Sequence, residues 1–206
     1  MKPLRLFLIS LIVLASGAMA AAEVAPDALA KSTTDEVLTI LRQHSDIKQN
    51  RQKLLELVDA KVLPHFDFTR MTKLAVGKYW STANPQQQQA LVKEFRTLLV
   101  RTYSSALTNY KDQKVVFKPL HLAAGQSDVT VKTDVIQSGT APVPIDYSME
   151  KTPNGWKVYD IAVENVSLVM NYRSSFTEAI RKGGAEQLIK MLQDKNSGAK
   201  SDEQAK

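Results

Sequence analysis

The chain has 206 residues, 44% of them hydrophobic and 7% aromatic, with no cysteine and a net charge of +6. That length holds one domain or two small ones, and the apolar content excludes intrinsic disorder. The lack of cysteine excludes a disulfide scaffold, a cysteine nucleophile, a thiolate zinc site and a lipidated bacterial N-terminus.

The first element is a leader. Lys2 and Arg5 precede an apolar run from Leu6 to Ala15, broken only by Ser10, and Ala18-Met19-Ala20 puts small residues at the −3 and −1 positions of a cleavage site. This pattern predicts a secretory signal peptide over residues 1–20. A membrane-spanning helix needs ~20 apolar residues, more than the run contains. Cleavage removes two of the cations and leaves an exported, soluble chain with no second run of membrane length. A chain of this size buries roughly 70% of its unfolded surface, so one core can hold it without disulfides.

Pro26 and Asp27 open a helix whose Leu29, Val37, Leu38, Ile40 and Leu41 recur on one face. A polar break at Ser45-Asp46 follows. A second helix runs from Arg51 to Leu63 with Leu54, Leu55, Val58 and Val62 as its stripe, and Pro64 ends it. Asp67, between Phe66 and Phe68, caps a short helix containing Met71, Leu74 and Ala75, which Gly77 closes. Asn84, Pro85 and Gln87 then form the clearest helix start in the chain. The spacing carries this helix to about Tyr110, with Leu91, Phe95, Leu98, Thr102, Ala106 and Tyr110 as its stripe, flanked by Leu99, Tyr103 and Leu107.

The period then changes to two. Val115 to Leu122 reads as extended; Val129, Val131, Thr133 and Val135 alternate with polar residues, as do Val143, Ile145, Tyr147 and Met149. Pro144 places the start of that strand near a sheet edge. Pro153-Asn154-Gly155 predicts a turn into a strand from Trp156 to Val163, with Tyr159, Ile161 and Val163 on one face. Short turns make neighbouring strands antiparallel. After Asn165 the pattern is helical again through Leu168, Val169, Tyr172, Phe176 and Ile180. Gly183-Gly184 interrupts it, Ala185 to Leu192 forms a last helix, and residues 197–206 read as a disordered tail. Helices, a meander and helices predict an α+β domain over residues 21–196, a curved antiparallel β-sheet covered on one face by helices.

The chain carries no nucleophile elbow, no phosphate-binding glycine loop and no histidine pair, and His44, His65 and His121 are never at metal-ligand spacing. No metal and no cofactor are expected. Asp146 adjoins Tyr147 and Asp160 adjoins Tyr159, but neighbouring strand residues point to opposite faces, so neither pair converges by itself. The favoured reading puts these carboxylates on the solvent face and the phenols in the core. Lysine and arginine are spread among acidic residues with no basic run carrying aromatics, which argues against nucleic acid. The apolar inventory remains. A sheet closed by helices encloses either a packed core or a ligand cavity, and periodicity does not distinguish the two.

Three segments go further: FDFTRMTKLAVGKYW (66–80), EFRTLLVRTYSSAL (94–107) and PVPIDYSMEKTPNGWKVYDIAVENVSLVMNYRSSF (142–176). Together they resemble the MlaC family, the toluene-tolerance auxiliary proteins, over about Pro26 to Asn196. The third segment is the most specific, with Tyr147, Trp156, Tyr159, Val166, Ser167, Leu168, Asn171, Tyr172 and Arg173 in fixed order; Val76 and Ser81 depart from the pattern, where Leu and Arg are expected.

The resemblance implies a monomeric periplasmic phospholipid carrier with no chemistry of its own. It would shuttle lipid between an outer-membrane lipoprotein complex and an inner-membrane ABC transporter with an MCE-domain ring, maintaining outer-membrane lipid asymmetry. It also implies a deep apolar pocket for acyl chains. The candidate lining is Phe95, Leu99, Tyr103, Val131, Val135, Ile145, Tyr147, Met149, Ile161, Val163, Leu168, Val169, Tyr172 and Phe176, each of which also suits core packing. Arg101 and Arg173 are candidates for the mouth or a docking surface, or simply for solvent. Two other readings stay open. A cone-shaped small-ligand enzyme would need a buried carboxylate with a raised pKa. A periplasmic chaperone or adaptor would show a solid core and an exposed apolar patch.

Overall fold

A computed structural model describes residues 24–204, with side chains to residue 198. The leader over residues 1–20 lies outside the described residues.

Helix α1 (Pro26–Gln43) begins at the expected proline. The polar break is a helix of its own, α2 (Ser45–Gln49). Asn50 then caps α3 (Arg51–Lys61) by accepting the Lys53 N–H. This helix stops at Lys61 because the chain tightens into a 3₁₀ turn at Leu63–His65 around Pro64. Asp67 accepts the Arg70 N–H at 2.8 Å and starts α4 (Phe68–Val76). Its own N–H donates to the Val158 carbonyl at 2.8 Å, which ties the helix start to the sheet.

Helix α5 (Pro85–Tyr103) opens with a complete capping box between Asn84 and Gln87. It ends at Tyr103, followed by the short α6 (Ser105–Thr108), not at Tyr110. Its buried row is Leu91, Phe95 and Leu99; Thr102 and Ala106 are exposed. Tyr110 is buried elsewhere, with Val37, Leu41 and Leu54 of α1 and α3. The break falls at Ser104, which is buried at the junction.

Five strands form one antiparallel sheet in chain order: β1 (Lys114–Phe117), β2 (Asp128–Ile136), β3 (Val143–Thr152), β4 (Gly155–Val163) and β5 (Val166–Ser167). The extended stretch before β2 pairs over Lys114–Phe117, and one further bond runs from the Lys118 N–H to the Lys132 carbonyl. Pro144 lies in the central strand, not near an edge. It stands second in β3, where its carbonyl accepts the Glu164 N–H of the adjoining turn.

A β-bulge corrects the face assignment of β4. Met149 pairs with Val158 and Ser148 with Asp160, so Tyr159 has no partner on β3. The extra residue shifts the alternation. Trp156, Val158, Ile161 and Val163 share the face of Met149, Tyr147 and Ile145, and Tyr159 turns away from them. Strand β5 was expected to be helix. Glu164 (φ 51°) and Asn165 (φ 67°) are both left-handed and form a two-residue hairpin turn that pairs Val163 with Val166.

Helix α7 (Arg173–Gln204) bends at Gly183-Gly184, where the backbone is non-helical. It runs on through Gln204, and Asn196 is anchored on α5. The Asn196 amide donates to the Glu94 carbonyl and carboxylate.

Two cores flank the sheet. Val129, Val131, Met149, Trp156 and Val158 pack with Leu29 and Ala30 of α1 on the apolar face. Helices α4, α5 and α7 build the other from Met71, Ala75, Leu91, Phe95, Leu99, Phe176, Leu188 and Leu192. Phe66 touches both.

Candidate functional site

The residues singled out in the sequence fall into two groups in space. Phe95, Leu99, Tyr103, Val169, Tyr172 and Phe176 belong to the helical core. The Phe95 ring meets Tyr172 edge-on at 5.2 Å and Phe176 at 5.0 Å, and Tyr172 and Phe176 lie 5.6 Å apart. Such aromatic pairs add to the burial of the rings themselves. Val131, Tyr147, Met149 and Ile161 belong to the apolar face of the sheet. Val135, Ile145 and Val163 stand on that same face by register, and Leu168 enters the turn before α7.

Burial divides the set a second way. Phe95, Leu99, Val131, Met149, Val169 and Phe176 are buried outright. Tyr103, Val135, Ile145, Tyr147, Ile161, Val163, Leu168 and Tyr172 are only half-buried. Eight apolar or aromatic side chains thus keep accessible surface, several of them beside fully buried neighbours of the same face.

Two phenols add polar points to these surroundings. Burial pushes the Tyr103 hydroxyl up to about 12, helped by the neighbouring Tyr172 hydroxyl. Burial also pushes Tyr147 up, against a hydrogen bond with Thr133. Thr133 is itself fully buried and donates to the Ile145 carbonyl at 2.7 Å. Nothing in the strand pattern marks Thr133 as the support of Tyr147.

The carboxylates are engaged elsewhere. Asp160 accepts the Ser167 hydroxyl and the N–H groups of Ile161 and Val169, and so fixes the β4–β5 turn and the approach to α7. Tyr159 is not in the sheet core. Its ring lies under the Arg70 guanidinium, 3.5 Å from the centroid, and its hydroxyl donates to Asp128. Arg70 bonds Asp128 and Glu150, joining α4 to β2 and β3. No Asp or Glu is among the buried polar residues of the described chain, which are Thr72, Ser104, Thr133 and Asn196. A buried carboxylate, which the enzyme reading requires, is therefore lacking among the described residues. His65 sits half-buried in its 3₁₀ turn, held below its ordinary pKa by burial and by Lys157.

Arg101 donates to the Asn196 carbonyl at 2.9 Å and helps hold α7 on α5. Arg173 is exposed and packs over Gly77. The sequence reading missed Val166, which continues the apolar face next to Val163 and is 58% exposed. The polar pair Glu164-Asn165 between Val163 and Val166 was the available signal.

Among the described residues no helix is long and apolar enough to cross a membrane, and no group of His, Asp and Glu could hold a metal ion.

Comparison with known proteins gives concordant matches. The model of the family described as "MlaC protein" matches residues 31–194. The chain is 26% identical over 182 residues to the intermembrane phospholipid transport system binding protein MlaC of Haemophilus influenzae, covering 86% of this chain and 85% of that one. It is 25% identical over 161 residues to the toluene tolerance protein ttg2D of Pseudomonas putida, covering 77% and 74%. The solved structure of a phospholipid-binding protein from Ralstonia solanacearum, in complex with a phospholipid, matches with a TM-score of 0.78 and 41% identity over 84% of this chain and 97% of that one.

Proposed function

The chain belongs to the MlaC family, and on that premise we propose that it is a periplasmic phospholipid carrier. It takes lipid from, or delivers it to, an outer-membrane lipoprotein complex and an inner-membrane ABC transporter with an MCE-domain ring, and so maintains outer-membrane lipid asymmetry. It reaches the periplasm through the leader over residues 1–20, works as a monomer, and acts by binding, without chemistry on the lipid. The single observation that carries this reading is the phospholipid held by the 41% identical Ralstonia solanacearum protein.

The half-buried side chains are the proposed pocket wall: Tyr103 and Tyr172 on the helical side, Val135, Ile145, Tyr147, Ile161 and Val163 on the sheet, and Leu168 at the junction. The fully buried Phe95, Leu99, Val131, Met149, Val169 and Phe176 form the supporting layer beneath them.

The energetics favour such a pocket. Two acyl chains of about sixteen carbons carry roughly 30 methylenes, ~24 kcal/mol of transfer free energy at ~0.8 kcal/mol each. A bare lipid does not cross an aqueous space against that barrier. A carrier needs only to match the bilayer, so a wall of aliphatic and aromatic side chains suffices and the head group stays in water.

Transfer to the inner-membrane transporter tests the shuttle. Protein loaded with radiolabelled phospholipid is mixed with proteoliposomes holding that transporter, and the two are separated. Label moving to the proteoliposomes is the expected result. Complete retention by the protein, together with no uptake by lipid-free protein from proteoliposomes carrying labelled lipid, overturns the shuttle.

A further inference from the structure

Two phenols of the proposed wall stand side by side. Tyr103 is the last residue of α5 and Tyr172 directly precedes α7, and their hydroxyls are neighbours. The Tyr172 ring is held by Phe95, edge-on at 5.2 Å, and by Phe176 at 5.6 Å. Both tyrosines pack against the helical core, and both keep accessible surface. Among the described residues neither hydroxyl has a further hydrogen-bond partner.

Proton accounting separates this pair from Tyr147, the third phenol of the wall. Thr133 gives its hydroxyl proton to the Ile145 carbonyl at 2.7 Å. It can therefore only accept from Tyr147, whose own proton is then spent. Two adjacent hydroxyls carry two protons, and a bond between them uses one. Whichever of Tyr103 and Tyr172 donates, the proton of the other has no acceptor among the described residues. An apolar pocket filled by cargo removes the water that such a proton would otherwise use, and an unpaired donor shut away from water costs free energy. The cargo then has to supply the acceptor.

A phospholipid offers two kinds of acceptor, the charged phosphodiester and the neutral ester carbonyls at the head of the acyl chains. A buried phosphate calls for cations. Burial and the Tyr172 hydroxyl are what act on Tyr103, and no cation does. Arg101 gives its Nη1 to the Asn196 carbonyl at 2.9 Å. Arg173 lies over Gly77 and beside the Met170 Sδ. Neutral donors among aromatic and aliphatic side chains fit a neutral carbonyl.

We propose that the Tyr103 and Tyr172 hydroxyls together donate a hydrogen bond to an ester carbonyl of the bound lipid, and so set a preference for ester-linked over ether-linked phospholipid. The proposal rests on the carrier reading. It puts the glycerol of the cargo where the end of α5 meets the start of α7, with the head group outside.

The test is a competition. Lipid-free mature protein is loaded from vesicles holding equal amounts of dioleoyl phosphatidylglycerol and its dialkyl ether analogue, which share head group and chain length. Native mass spectrometry reads the ratio bound. Wild type is expected to favour the diester by about two- to tenfold, the range for one hydrogen bond. The double variant Tyr103→Phe, Tyr172→Phe is expected to take up both lipids equally. Equal uptake by wild type overturns the proposal without recourse to any variant, and so does a preference that the double variant keeps. The two readings fail differently: uptake of both lipids in equal amounts removes the ester contact alone, and uptake of neither by wild type removes the carrier.

Discussion

The Arg173 guanidinium lies across Gly77, and Gly77 holds φ 63° and ψ −135°, a conformation that a side chain strongly disfavours. The close approach joins the end of α4 to the start of α7, two of the segments that carry the family resemblance. Gly77→Ala is expected to lower stability by about 1–3 kcal/mol through backbone strain, while the exposed end of Arg173 can shift aside at little cost. Adding Arg173→Ala should leave that loss nearly unchanged, since the strain is in the backbone. Urea midpoints of the two variants check this, and an unchanged midpoint for Gly77→Ala contradicts it.

Phe95 is fully buried and meets both Tyr172 and Phe176. Phe95→Ala is expected to cost about 3–5 kcal/mol, the range for deleting a buried aromatic. Thr102→Ala on the same helix, at an exposed position, should stay within about 0.5 kcal/mol. Chemical unfolding of the two variants separates the observed burial row from the one read in the sequence, which ran through Thr102.

Asp160 holds the turn from β4 to α7 by accepting one hydroxyl and two backbone N–H groups. Bonds to a charged acceptor contribute about 1.5–3 kcal/mol. Asp160→Ala should destabilise on that order and speed hydrogen exchange at the Val169 amide. Exchange at wild-type rate would mean that other contacts hold the turn.

Tyr103 gives a pH signature. Its folded-state pKa, about 12, lies above the ordinary phenol value of 10. The unfolded chain therefore releases this proton first as pH rises. Stability from the neutral phenol is fully present below pH 10 and is lost between pH 10 and about 12. Tyr103→Phe should flatten the fall in stability across that window, and thermal melts from pH 9 to pH 11.5 measure it.

Val163 stands on the apolar face beside Ile145 and keeps accessible surface. Val163→Trp is expected to fill proposed pocket space and reduce the phospholipid that copurifies. Lipid retention equal to wild type would remove Val163 from the wall.

Helix starts were legible because their chemistry is local. Asp67 caps α4 and the Asn84–Gln87 box opens α5 using residues within one turn. The alternation of β2 was legible because Val129, Val131 and Thr133 are all buried. The features that were not legible depend on distant partners. The bulge at Tyr159 exists only in the pairing with β3. Strand β5 has two residues, too few for any period. The end of α5 is hidden because Thr102 and Ala106 continue a helical spacing past a buried Ser104. The same limit applies to the site. Val131 and Tyr147 share one face of the sheet and pair directly, yet the first is fully buried and the second half-open. Strand period places both on the inner face and does not separate wall from support.

The central claim is that this chain carries phospholipid, and native mass spectrometry of protein purified from the periplasm without detergent tests it most directly. The expected spectrum shows a stoichiometric adduct of phospholipid mass that organic extraction removes and identifies. A clean apo mass that gains no lipid on incubation with phospholipid vesicles would contradict the account.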